Sequence, residues 1–233
     1  EAEAVARLLR IAQAADAPVI LSPITCRDSL FELEQARKRG QSAYATTGPQ
    51  YLLLDDIVYY EWENASRYVC SPPLRDRSQQ EPLWKALRRD SVQAVASSHR
   101  AFTLRQKETD PQRFPAIPAG LPGAENRGEL LYTFGVGARR LAAEDLCRVL
   151  SEAPARLCGL YPRKGVLQPG SDADIVVYDP RASHVIRADD SLSRADYNPY
   201  EGFVTAGGVT QVYLRGRLAV DQGAVTGEAG GRY

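Results

Sequence analysis

The 233-residue sequence has no methionine and only two histidines, four cysteines and two tryptophans. Two histidines cannot supply a histidine-rich metal centre by themselves. The four cysteines, Cys26, Cys70, Cys147 and Cys158, form no CxxC pair and have no histidine at zinc-finger spacing, so they read as reduced, buried thiols of a cytoplasmic protein. Charge of one sign is also missing: 29 Lys and Arg balance 29 Asp and Glu. A zero net charge argues against a nucleic-acid partner, which calls for concentrated positive charge. No apolar run approaches the length of a membrane span, and the acidic start lacks the basic and apolar regions of a secretory signal. With no methionine and a start at Glu1 inside a helical pattern, the chain is expected to be part of something longer. No Gly-x-Ser-x-Gly elbow accompanies either histidine, which leaves no basis for a Ser-His-Asp triad.

What is present is 44% hydrophobic residues in two kinds of pattern. In the first hundred residues helical and strand patterns alternate. Residues 1–16 carry Val5, Leu8, Leu9 and Ala12 on one helical face, and Val19–Leu21 is a short apolar strand behind Pro18. A helix aligning Leu30, Leu33 and Ala36 is expected to start at a cap on Asp28 or Ser29 and to stop at Gly40. A strand at 42–47, a helix at 82–89 and a strand at 92–96 complete the series. Such alternation predicts a parallel sheet with crossover helices, whose chemistry gathers at the C-terminal strand ends. Residues 98–128 read as an irregular loop of the kind that forms a substrate wall, followed by helices near 128–136 and 143–157. From Lys164 onward the pattern becomes all-β. Short strands are expected at 174–178, 184–188, 209–214 and 218–221, with Gly207-Gly208 as a turn and the Gly-rich end at 227–231 as a frayed tail. This places a boundary near residue 160, between an α/β part (1–160) and a β part (161–233).

Several motifs then occur in one order: Val69-Cys-Ser-Pro-Pro-Leu-Arg75, Ile117-Pro-Ala-Gly-Leu-Pro-Gly-Ala-Glu-Asn-Arg127, Leu131-Tyr-Thr-Phe-Gly-Val136, Tyr161-Pro-Arg-Lys-Gly165, Pro169-Gly-Ser-Asp-Ala-Asp-Ile-Val-Val-Tyr-Asp-Pro180 and Asn198-Pro-Tyr-Glu-Gly202. Over nearly its whole length the chain resembles the dihydropyrimidinase and D-hydantoinase group of the amidohydrolase superfamily. The resemblance implies the C-terminal portion of a (β/α)₈ barrel followed by a β-sandwich segment. A barrel needs about 250 residues, so a missing N-terminal barrel segment is the first expected partner. A homo- or hetero-oligomer, tetrameric in the family, is the second.

The resemblance also implies a two-zinc centre that activates water against a cyclic amide. Most of its ligands would lie before Glu1. One His and one Asp should fall inside this chain. The position matching the His is Pro23, in Leu21-Ser-Pro-Ile-Thr-Cys26. The position matching the Asp, which also accepts the water's proton, is Ser98, in Ser97-Ser-His-Arg-Ala-Phe102. Proline offers a metal no side-chain lone pair, and a neutral hydroxyl is a poor ligand and a weak base. No catalytic residue and no metal cofactor are therefore assigned to this chain. His99 stands beside the lost Asp and reads as structural rather than as a ligand. Arg100 could fill the vacated site with charge or pair with an acid from the missing half. Ser71 and Ala119 match positions that hold substrate through the backbone, so weak binding of a cyclic amide could survive. The expectation is a relative that has lost hydrolysis and serves as a scaffold or assembly subunit. The alternative is an active cyclic amidase with an altered metal site.

Overall fold

A computed structural model describes residues 1–61, 63–110 and 113–227. The first sheet is parallel, as the alternation predicts. Strand β1 (Val19–Leu21) pairs with β2 (Ala43–Thr47), and β2 pairs with β3 (Ala94–Val95), in the order β1-β2-β3. Helix α1 (Ala2–Ala14) precedes β1, α2 (Arg27–Lys38) connects β1 to β2, and α3 (Pro49–Leu53) and α4 (Gln80–Arg88) lie between β2 and β3. Val5, Leu9 and Ala12 of α1 are buried together with Leu30, Leu33 and Ala36 of α2, as the apolar stripes predict, but Leu8, expected on the same face of α1, is exposed. Helix α2 begins at Arg27, ahead of the expected caps: Cys26 is the N-cap, and its side chain makes no capping bond to the helix backbone. Gly40, at φ +83°, supplies the left-handed turn that ends this stretch.

Arg37 sets how the sheet meets its helices. Its guanidinium donates to the Ala43 and Ser91 carbonyls at 2.7 and 2.8 Å and to Gln93 at 2.8 Å, fastening the approaches to β2 and β3. Ile20 of β1 and Tyr44 of β2 stay exposed on the sheet face opposite these helices, beside a cleft of about 510 Å³ also lined by Arg148 and Arg156.

The expected loop at 98–128 is less irregular than its composition suggests. Thr103 and Gln106 form a capping box that starts a helical turn, α5 (Leu104–Lys107). Helix α6 (Arg127–Leu131) runs into a π-helical turn at Tyr132–Gly137. Helices α7 (Ala143–Cys147) and α8 (Ala153–Leu157) flank another at Arg148–Glu152.

The β region is antiparallel, β4 (Ile175–Val185), β5 (Val204–Leu214), β6 (Arg217–Asp221) and β7 (Ala224–Val225), in sequential order. The strands expected at 174–178 and 184–188 are one strand interrupted by register shifts, and it ends at Val185 rather than at Ala188. The second shift spans Asp179 to Ser183, where Pro180 needs no ladder donor. Gly207-Gly208 is not a turn but lies within β5. Gly207 has φ +79°, and a Cβ there would fall 2.3 Å from the Tyr178 ring, so the glycine admits the ring. The Lys164 ammonium pairs with both Asp172 and Asp174, and Asp174 also accepts the Arg215 amide at 2.8 Å, which pins the signature segment to the β5–β6 hairpin. Of the expected tail only Gly227 lies among the described residues.

One hydrophobic core runs through both parts, from Val5 and Leu9 through Leu83, Trp84 and Leu87 to Ile186 and Tyr200. The cysteines are less hidden than expected: Cys26 and Cys70 are half-buried, Cys147 and Cys158 are exposed, and all four are unpaired. Among the described residues no helix is long and apolar enough to cross a membrane.

Candidate functional site

The C-terminal ends of the three parallel strands form a rim. After β1, the Ser22 and Thr46 hydroxyls meet at 2.7 Å, Ile24 donates its amide to the Thr46 carbonyl, and Thr47 donates its hydroxyl to the Ile24 carbonyl. Pro23 sits half-buried in this turn. The next turn is fixed by Glu1, whose carboxylate accepts the Thr25 amide at 2.9 Å, the Thr25 hydroxyl, and Arg75 at 3.1 Å. Burial alone would raise the Glu1 pKa, but hydrogen bonds from Thr25, Ser29 and Arg75 outweigh it and hold the carboxyl below its usual range.

Beyond β3 the chain turns sharply. Ser98 is exposed and adopts the left-handed region at φ +50°. His99 then runs beside Leu121, and its Nδ1 accepts the amides of Gly123 and Ala124 at 3.2 and 3.3 Å. Two donors on Nδ1 place the proton of the neutral ring on Nε2. Neither ring nitrogen is then left with a free lone pair.

These donors do not fit the zinc centre that the resemblance implies. Pro23 has no donor atom, Ser98 offers a neutral hydroxyl, and His99 has its acceptor nitrogen engaged. The Glu1 carboxylate is already bound to Thr25 and Arg75.

Ser71 and Ala119 come together elsewhere. They line one cleft of about 1030 Å³, with Tyr59, Val69, Cys70 and Ile117 on its walls. Pro23, Ser98 and His99 do not line it. Arg100 links rim and cleft, because its guanidinium donates to the Ala119 carbonyl at 3.3 Å and its amide to the Leu121 carbonyl at 2.9 Å. Gly120 makes this approach possible, since a Cβ there would lie 2.7 Å from the Arg100 side chain.

Lys107 escaped the sequence reading. It is fully buried, and its ammonium donates to the carbonyls of Val69 at 2.6 Å and Pro118 at 2.8 Å. The signal was the Thr103-x-x-Gln106 capping pattern, which starts the turn that carries it. His184 lies in β4 and does not line the large cleft. Its Nε2 is 3.0 Å from Glu129, and its Nδ1 is 3.0 Å from the Thr205 hydroxyl. Burial raises the Glu129 pKa, and His184 opposes that shift.

The sequence signature of the amidohydrolase family matches residues 32–219, most of the chain. The chain belongs to that family. It is 39% identical over 236 residues to D-phenylhydantoinase of Escherichia coli, across 100% of this chain and 51% of that enzyme. Solved structures agree. A D-hydantoinase (dihydropyrimidinase) from Thermus sp. superposes with a TM-score of 0.94 at 37% identity, covering 97% of this chain and 50% of that one. Dihydropyrimidinase from Brevibacillus agri gives 0.92 at 35% identity, over 96% and 49%. The predicted resemblance and barrel-derived fold therefore hold, and the chain spans about half the length of the curated relatives it matches. The amidohydrolase family is metal-dependent.

Proposed function

We propose that the intact protein is a hydantoinase-like amidohydrolase relative that has lost metal-dependent hydrolysis. It keeps a cleft for a cyclic ureide and acts as a scaffold or assembly subunit. The observation that carries this reading is the pair of residues at the strand ends, Pro23 and Ser98, which offer neither a strong zinc donor nor a base. The saturated Nδ1 of His99 supports it. So does the cleft, which Ser71 and Ala119 both line, although the Ala119 carbonyl already accepts the Arg100 guanidinium and would use its remaining lone pair or its amide for a ring amide.

We further propose that an N-terminal segment completes the barrel beside β1, where Ile20 and Tyr44 present an exposed apolar face. In this reading a boundary near residue 160 separates barrel from sandwich, the completed subunit assembles as a homo- or hetero-oligomer such as a tetramer, and four unpaired cysteines suit a cytoplasmic protein.

The test is metal analysis of the intact protein together with hydrolysis of dihydrouracil and hydantoin. Substoichiometric zinc and no ring opening are expected. Two zinc ions per subunit with ring opening would establish the alternative, an active cyclic amidase with an altered site, which the 39% identity to D-phenylhydantoinase favours.

A further inference from the structure

The two segments that present Ser71 and Ala119 come from distant parts of the sequence, yet one side chain ties them together. Val69 and Pro118 immediately precede the Cys70-Ser71 and Ala119-Gly120 stretches, and the Lys107 ammonium donates to both their carbonyls, at 2.6 and 2.8 Å. The Val69 carbonyl also accepts the Gly120 amide at 3.0 Å. A single carbonyl thus joins the two segments directly and through Lys107. The Phe102 ring lies 5.8 Å from the ammonium. Burying a lysine is costly unless its donors are satisfied. Here the two carbonyls and the aromatic face offset part of that cost, and the bonds gain strength from the charge. Burial pushes the Lys107 pKa down to about 8, so at neutral pH most of the population is still an ammonium.

We infer that Lys107 is a positioning residue: it clamps the Val69–Ser71 and Pro118–Gly120 segments at the separation that lets the Ser71 and Ala119 main chains engage one ligand. The inference rests on the reading of these two main chains as the ligand-binding wall. A lysine that merely filled space would be replaceable by methionine, which has similar length and is apolar. A clamp would not be, because methionine leaves the Pro118 carbonyl without its donor and the Val69 carbonyl with Gly120 alone.

The test uses the intact protein and two readouts. In Lys107→Met, amide hydrogen exchange at Gly120 should quicken by about tenfold or more while the amides of Leu9, Leu33 and Leu87 keep their protection. The rise in Tm that hydantoin produces in the wild type should shrink to less than half. Should Lys107→Met not accumulate in folded form, Lys107→Leu, which likewise carries no donor, is read in the same way. Unchanged Gly120 exchange, exchange that quickens throughout the core together, or a hydantoin shift that survives the substitution would each overturn the clamp. If the wild type shows no hydantoin shift while Gly120 exchange still responds to Lys107→Met, the clamp is upheld and the ligand reading falls.

Discussion

The rim at the strand ends and the wall of the large cleft depend on different parts of the chain for their chemistry. At the rim the function implied by the family rests on side-chain atoms, a His donor and an Asp base, and Pro23 and Ser98 provide neither. At the cleft wall the recognition we propose rests on the main chain around Ser71 and Ala119, which every residue except proline provides with both donor and acceptor. The two regions are fastened differently as well. A buried carboxylate, Glu1, holds the rim through Thr25 and Arg75, whereas a buried ammonium, Lys107, holds the wall through two carbonyls. Side-chain chemistry can be erased by one substitution with the backbone intact, while backbone recognition lasts as long as its supports.

The largest effect is expected where both regions share a support. Trp84 is 1% exposed, donates its indole N–H to the Leu52 carbonyl at 3.2 Å, packs close to Gly135 and lies under Arg140. Trp84→Ala should cost about 3–5 kcal/mol in denaturant unfolding, through lost burial and the cavity left behind. Because the core reaches Ile186 and Tyr200, which flank β4 and β5, and Thr133 and Glu129 of the α/β part bond Ala206 and His184, β4–β7 should unfold with the parallel sheet in one transition. Two separated transitions would mean that the rim and the wall stand on independent foundations.

A smaller effect separates the two. Glu1→Gln keeps the shape but removes the charge from the hydrogen bonds to Thr25 and Arg75, and should cost about 1–3 kcal/mol at neutral pH. The folded pKa of Glu1 is depressed, so its stabilising contribution is present above the unfolded value of about 4.3 and is lost as pH falls through the folded value. The gap between wild type and Glu1→Gln should therefore be full at pH 7 and close below pH ~4. Exchange at the Gly120 amide should not follow it. A gap that persists unchanged into acid would show that the carboxylate charge does not hold the rim.

How much of this was legible beforehand depended on the range of the interactions. Strand β1 was readable because Pro18 and a three-residue apolar run act locally, and α1 and α2 because their stripes repeat at helical spacing. Pro23 and Ser98 were readable because each sits next to a strand end that the pattern locates. The start of α2 was misplaced, since Asp28 and Ser29 have capping side chains but the helix begins at Arg27. In the β region, Gly207-Gly208 resembles a turn in composition, and only the Tyr178 ring on the neighbouring strand explains its place inside β5. Lys107 and Glu1 were hidden for the same reason. Each carries an ordinary surface charge in the sequence, and each is buried by partners between 11 and 74 residues away.

The smallest expected effect is the one that bears most directly on the difference between rim and wall. Ser71 is exposed, and Ala119 has only a methyl group to offer. If the wall recognises a ring amide by its main chain, Ser71→Ala and Ala119→Ser should change hydantoin affinity by less than about 0.5 kcal/mol, in the range of ordinary surface substitutions. Isothermal titration of the intact protein measures this. A loss of about 1 kcal/mol or more on removing the Ser71 hydroxyl would assign recognition to a side chain, as expected for a neutral hydrogen bond lost from the complex. The wall would then be as open to erasure by a single substitution as the rim, and its persistence beside Pro23 and Ser98 would have to come from the ligand it still selects rather than from the backbone that Lys107 holds in place.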